Sequence, residues 1–150
     1  MDAKQLAQQA LEDHERLNRD AKGLIKLLNL EHEDSTAEWF EKCGDSFRHF
    51  HTQLRRHIET EELGGFMKPV CELRPTLARE VERLLEEHHD LLAECTNIEE
   101  FFCLHKEPTN TDCSRGRHDA MALIAKLESH EASENKLIQD VFNLDIGTGD

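Results

Sequence analysis

Two pairs of residues share one spacing, His57 with Glu61 and His130 with Glu134, and two further histidines, His14 and His88, complete a set of six. Residues four apart lie on one face of a helix about one turn apart, so each H-x-x-x-E pair can aim an imidazole and a carboxylate at one point. All six fall on apolar stripes. His57 follows Phe47, Phe50 and Leu54 at helical spacing, and Glu61 continues their line. His14 sits among Ala7, Ala10, Leu11, Leu17 and Ala21, His88 among Val81, Leu84, Leu85, Leu91, Leu92 and Cys95, and His130 after Leu123 and Leu127 with Glu134 and Leu137 beyond it. A carboxylate in apolar surroundings is costly unless it is protonated or paired. Cations remove that cost by supplying charge and taking up lone pairs. With Glu61 and Glu134 each bridging, two divalent ions would each receive two imidazole nitrogens and one oxygen from each carboxylate. Positions then remain for an oxo or hydroxo bridge and an outside ligand. Such mixed ligation suits iron, and manganese or zinc less well. The alternative is a metal-free bundle in which the six groups form a structural network.

The set is repeated within the chain. Leu11-Glu12-Asp13-His14-Glu15-Arg16-Leu17 matches Leu85-Glu86-Glu87-His88-His89-Asp90-Leu91, and the two H-x-x-x-E elements match each other. His88 follows His14 by 74 residues and His130 follows His57 by 73. Two helical hairpins of one design are therefore expected, and the repeat selects His88 over His89.

In these residues the chain resembles the hemerythrin-like family of HHE cation-binding domains, over essentially its whole length. The resemblance implies that His14, His57, His88 and His130 are terminal iron ligands and that Glu61 and Glu134 bridge the two irons. It also implies a small ligand (O2, nitric oxide or peroxide), with roles from oxygen binding through iron or redox sensing to stress defence. Oxygen-carrying members add a second histidine four residues after the first in the third helix, and here that position is Leu92. The departure favours a sensing or more reactive centre with exchangeable positions over reversible oxygen carriage. Two functional classes follow: a module that binds or senses a small ligand such as O2 or NO, and an enzyme consuming peroxide or NO.

The elements that must position these residues are helices. Charged residues make up 33% and hydrophobic ones 37%, while 7 glycines, 3 prolines and no tyrosine leave few turn and strand formers. Apolar periodicity predicts four helices over about residues 3–30, 36–67, 75–102 and 112–142. Ser35 and Glu38 read as a capping box for the second, and Pro75 as a first-turn residue for the third. Short connections predict an all-α, antiparallel up-down-up-down four-helix bundle forming a single domain over residues 1–150. Gly64 and Gly65, on the stripe beyond Glu61, are read as an opening for a small ligand, with a helix-end turn as the alternative.

Composition narrows the partners. Lys plus Arg total 18 against 32 Asp plus Glu, a formal charge of −14 that repels nucleic-acid phosphates and anionic membranes. Five cysteines without a C-x-x-C pair fit reduced thiols, with Cys43 and Cys95 inward and Cys71, Cys103 and Cys113 outward. The start Met1-Asp2-Ala3-Lys4 carries no apolar leader, and no stretch approaches a membrane span, so a cytoplasmic protein is expected. The other histidines, His32, His49, His51, His89, His105 and His118, fall off the stripes and are assigned to the surface. The run Glu31-His32-Glu33-Asp34 and the end Gly147-Thr148-Gly149-Asp150 read as solvated polar segments.

Overall fold

Apolar residues at three- and four-residue steps demand helices that share a core, and a computed structural model describing residues 1–30 and 36–144 shows that arrangement. Among the described residues every regular element is helical: α1 (Ala3–Leu28), α2 (Thr36–Glu62), α3 (Met67–Leu73), a 3-10 turn at Pro75–Leu77, α4 (Ala78–Leu104) and α5 (Asn110–Phe142). The four long helices, of 26 to 33 residues, form a four-helix bundle. At 1.5 Å per residue they are about 39 to 50 Å long. α1 and α4 each pack against both α2 and α5.

Side chains hold the helix starts. The Asp2 carboxylate accepts the Gln5 backbone N–H at 2.8 Å while the Gln5 side chain accepts that of Asp2 at 2.8 Å, and Thr109 and Asp112 repeat this device at α5. The predicted cap at Ser35, the run 31–34 with His32, and the end 147–150 lie outside the described residues. Across the 31–35 connection, the Trp39 indole donates to the Leu27 carbonyl at 2.9 Å and Arg117 donates to that of Leu28 at 2.7 Å. The end of α1 is thereby tied to both α2 and α5.

Several expected boundaries move. The second helix does not run to residue 67. It stops at Glu62, because Gly64 adopts φ +153° and a Cβ on Gly65 would come within 2.7 Å of the Glu61 backbone. The chain then turns into α3, whose first turn accommodates Pro69 because N–H groups there have no partner within the helix. Pro75 does initiate a helical segment, but as the 3-10 turn that leads into α4. The loop expected from Cys103 shrinks at both ends, since α4 continues to Leu104 and the Thr109 cap starts α5 at Asn110.

The core is two apolar clusters rather than one. The larger gathers Leu17, Leu24, Phe40, Phe47, Phe50, Leu54, Leu91, Phe102, Leu123 and Leu127 with their neighbours; the smaller holds Ala7, Leu11, Leu84, Leu137 and Ile138 with Phe66, Met67 and Val70 from α3 and its entry. Where α2 has ended, α3 supplies the apolar surface that closes this end of the bundle. No helix among the described residues is long and apolar enough to cross a membrane.

Cysteine placement corrects one expectation: Cys113 is buried with Cys43 and Cys95, while Cys103 is exposed. Burial pushes the Cys43 and Cys95 thiols up to about 12, which suppresses the reactive thiolate. Timed alkylation of the native protein should therefore label Cys103 first. Cys43, Cys95 and Cys113 should be modified only on unfolding, as read by peptide mass spectrometry.

Candidate metal centre

The boundary between the two apolar clusters is where the polar residues meet. His14 lies between Leu11 of the smaller cluster and Leu17 of the larger, His88 between Leu84 and Leu91, and His130 with Glu134 between Leu127 and Leu137. His57 and Glu61 reach the same level from the last turns of α2. All six are buried, Glu134 completely.

Their donor atoms converge in two overlapping groups. One ligand atom from each of His14, His57, Glu61 and Glu134 lies within 4.8 Å of all the others, as do those of His88, His130 and Glu134. Glu134 belongs to both. Its oxygens stand 3.1 Å from His14 Nε2, 3.4 Å from His130 Nε2 and 3.6 Å from His88 Nε2. Glu61 Oε1 stands 2.5 Å from His57 Nε2 and 3.9 Å from His88 Nε2. The imidazoles pair across the bundle, His14 with His57 at a 5.0 Å centroid separation and His88 with His130 at 4.8 Å.

The opposite edge of each ring shows what these contacts are for. His14 Nδ1 donates to Asn135 Oδ1, His88 Nδ1 to Glu62 and His130 Nδ1 to Glu87, each at 2.7 Å; His57 Nδ1 is 3.8 Å from Asp13. Amide carbonyl and carboxylate oxygens accept, so Nδ1 bears the hydrogen and the lone pair of a neutral ring sits on Nε2. All four Nε2 atoms and all four oxygens of Glu61 and Glu134 are buried without a hydrogen bond. On His14, His88 and His130 the lone pair is held inward by a partner behind the ring, the arrangement that a metal ion satisfies.

Burial and close contact shift the protonation of these groups in different directions. Burial and the neighbouring Glu134 push Glu61 well above the usual carboxylate range. Glu134 is held well below that range: burial opposes its charge, but contacts with Glu61, His130, His14 and His88 outweigh it. Burial also works against charge on His14 and His130, yet Glu134 raises both. Burial and the proximity of His14 push His57 down to about 4. The buried His/Glu cluster is able to hold a metal ion.

Sequence reasoning missed two buried groups. Glu131, next to His130, is only 3% exposed, and burial pushes its carboxyl up to about 7. His51, assigned to the surface, is 2% exposed because its face of α2 meets α4, where Nδ1 donates to Glu99 at 3.1 Å and Nε2 accepts from Arg55 at 3.0 Å. An arginine four residues after His51 was the available signal.

The opening expected at Gly64 and Gly65 is not beside the cluster. Gly64 belongs to a helix-end turn, and the surface hollow there is lined by Arg56, Glu59, Thr60, Leu63 and Gly64, none of the six. Two other recesses do reach the site. A groove of about 460 Å³ includes His130 and Glu87 in its wall, and one of about 180 Å³ includes His57 and Asp13.

The ring-orienting partners can be tested separately. Glu62→Gln and Glu87→Gln should each weaken divalent metal binding by about 10- to 100-fold, measured by chelator competition, with melting of the metal-free protein shifted little. Comparison with protein-family models, curated proteins and solved structures finds no match, so the reading of the site rests on its own chemistry.

Proposed function

We propose that the chain is a non-heme diiron protein whose carboxylate-bridged His4Glu2 centre binds or senses a small ligand such as O2 or NO. The bundle is read as up-down-up-down, with α1 and α2 as one hairpin and α4 and α5 as its pseudo-symmetric counterpart. The observation that carries this reading is the convergence of four Nε2 atoms and two carboxylates, all without hydrogen bonds, with three of the four rings fixed from behind. In this proposal His14 and His57 serve one iron, and His88 and His130 the other. Glu134 would be the one to bridge because it contacts histidines of both pairs, and Glu61 would join it because it lies near His57 and His88.

Bound iron would supply one-electron redox chemistry and open coordination positions, and mixed imidazole and carboxylate ligation favours it over manganese or zinc. The remaining work belongs to the polypeptide. Asn135, Glu62 and Glu87 orient the imidazoles, while Leu17, Leu91 and Leu127 on one side and Leu11, Leu84 and Leu137 on the other exclude water. Leu92, partly buried against the larger cluster, brings no imidazole to the third long helix. The recesses at His57 and His130 give a small ligand short paths inward.

Anaerobic reconstitution followed by elemental analysis should find about two iron ions per chain, the number these donors serve. Fewer than about one would reject the site. His57→Ala and Glu61→Ala should lower the melting temperature of the loaded protein more than that of the metal-free protein, because metal binding is coupled to folding. Equal losses would mark a structural network. In stopped-flow mixing, stoichiometric O2 or NO adducts support the binding or sensing role, whereas catalytic loss of H2O2 or NO would assign the centre to an enzyme.

A further inference from the structure

Among the described residues, the buried side-chain nitrogen and oxygen atoms without a hydrogen bond belong to the six residues of the centre and to one other, Glu131. Both of its oxygens are orphaned. A carboxyl group used only for packing should gain at least one donor or acceptor when buried, since the uncompensated loss of water is costly. Its position indicates what is missing. Glu131 and Asn135, four apart on α5, share a face, and Asn135 holds the His14 ring. The carboxylate therefore flanks the centre on the side of His14 and His57.

Charge points the same way. Two divalent cations bring four positive charges into a layer closed by apolar clusters, and Glu61 with Glu134 offset only two. A third carboxylate brings the layer closer to neutrality, which matters where water is excluded. Its oxygens stand outside the group of atoms within 4.8 Å of one another, so the side chain must turn inward when a cation is taken up.

We propose that Glu131 is a seventh protein ligand, a terminal carboxylate on the metal held by His14 and His57. This rests on the two-metal reading above. It makes the two positions unequal, one richer in carboxylate, the other on the His88 and His130 side with fewer protein donors.

The test is anaerobic titration of the full chain with Fe(II), and separately with Mn(II), against a competing chelator. Wild type is compared with Glu131→Gln, Glu131→Asp, His14→Ala and His88→Ala. Glu131→Gln keeps shape and removes charge, so the metal-free protein should melt no lower than wild type. It should weaken one binding step by about 10- to 100-fold, the scale of lost supporting groups at metal sites, and leave the other step unchanged. The weakened step should be the one that His14→Ala impairs, and the Mn(II) electron paramagnetic resonance spectrum of that step should change. Glu131→Asp should fall between wild type and Glu131→Gln, which keeps the comparison informative if the glutamine variant folds poorly. Wild-type affinity for both ions in Glu131→Gln would overturn the proposal, as would weakening of the step that His88→Ala impairs. Failure of wild type to bind either ion would overturn the metal centre itself, and Glu131 ligation with it.

Discussion

Burying carboxylates and imidazoles together in a layer with apolar side chains on both sides is the constraint on which this structure turns. Glu61 and Glu134 are 4% and 0% exposed and lie close enough that two bare charges would repel strongly in a medium less polar than water. Either a proton or a cation must stand between them. With protons alone, the opposite displacements of Glu61 and Glu134 are those of a carboxyl pair that shares one proton. The rest of the molecule can be understood as holding this layer in place. The aromatic cluster around Phe40, Phe47 and Phe102 packs one end, and α3 closes the other. The half-exposed carboxylates Glu62 and Glu87 brace the rings from the surface.

The six central residues were legible because helical periodicity places them on the same lines as leucine, phenylalanine and valine, and a polar residue on such a line stands out. Glu131 gave no such contrast. One residue from His130 it lies about 100° around the helix, on a flank that a single amphipathic helix would leave to solvent. It is buried because α5 has neighbours on more than one side, which the sequence of α5 alone does not express. His51 and Cys113 were misplaced for the same reason, the first meeting Glu99 on α4 and the second packing in the larger cluster. The four long helices were likewise visible in the apolar pattern, but the end of α2 was not. Phe66, Met67 and Val70 continue an apolar pattern past two glycines, and only backbone conformation separates α2 from α3.

That break places Glu61 in the final turn of its helix, whereas His14, His88, His130 and Glu134 project from helix interiors. The aligned peptide dipoles of α2 leave partial negative charge at this end, and no basic residue occupies its last turn to compensate. A positive ion beside Glu61 would therefore feel the field of a helix terminus as well as the carboxylate. The glycine turn does more than end a helix: it brings a negative pole of the backbone to one edge of the layer, so that main chain and side chains favour cations there together.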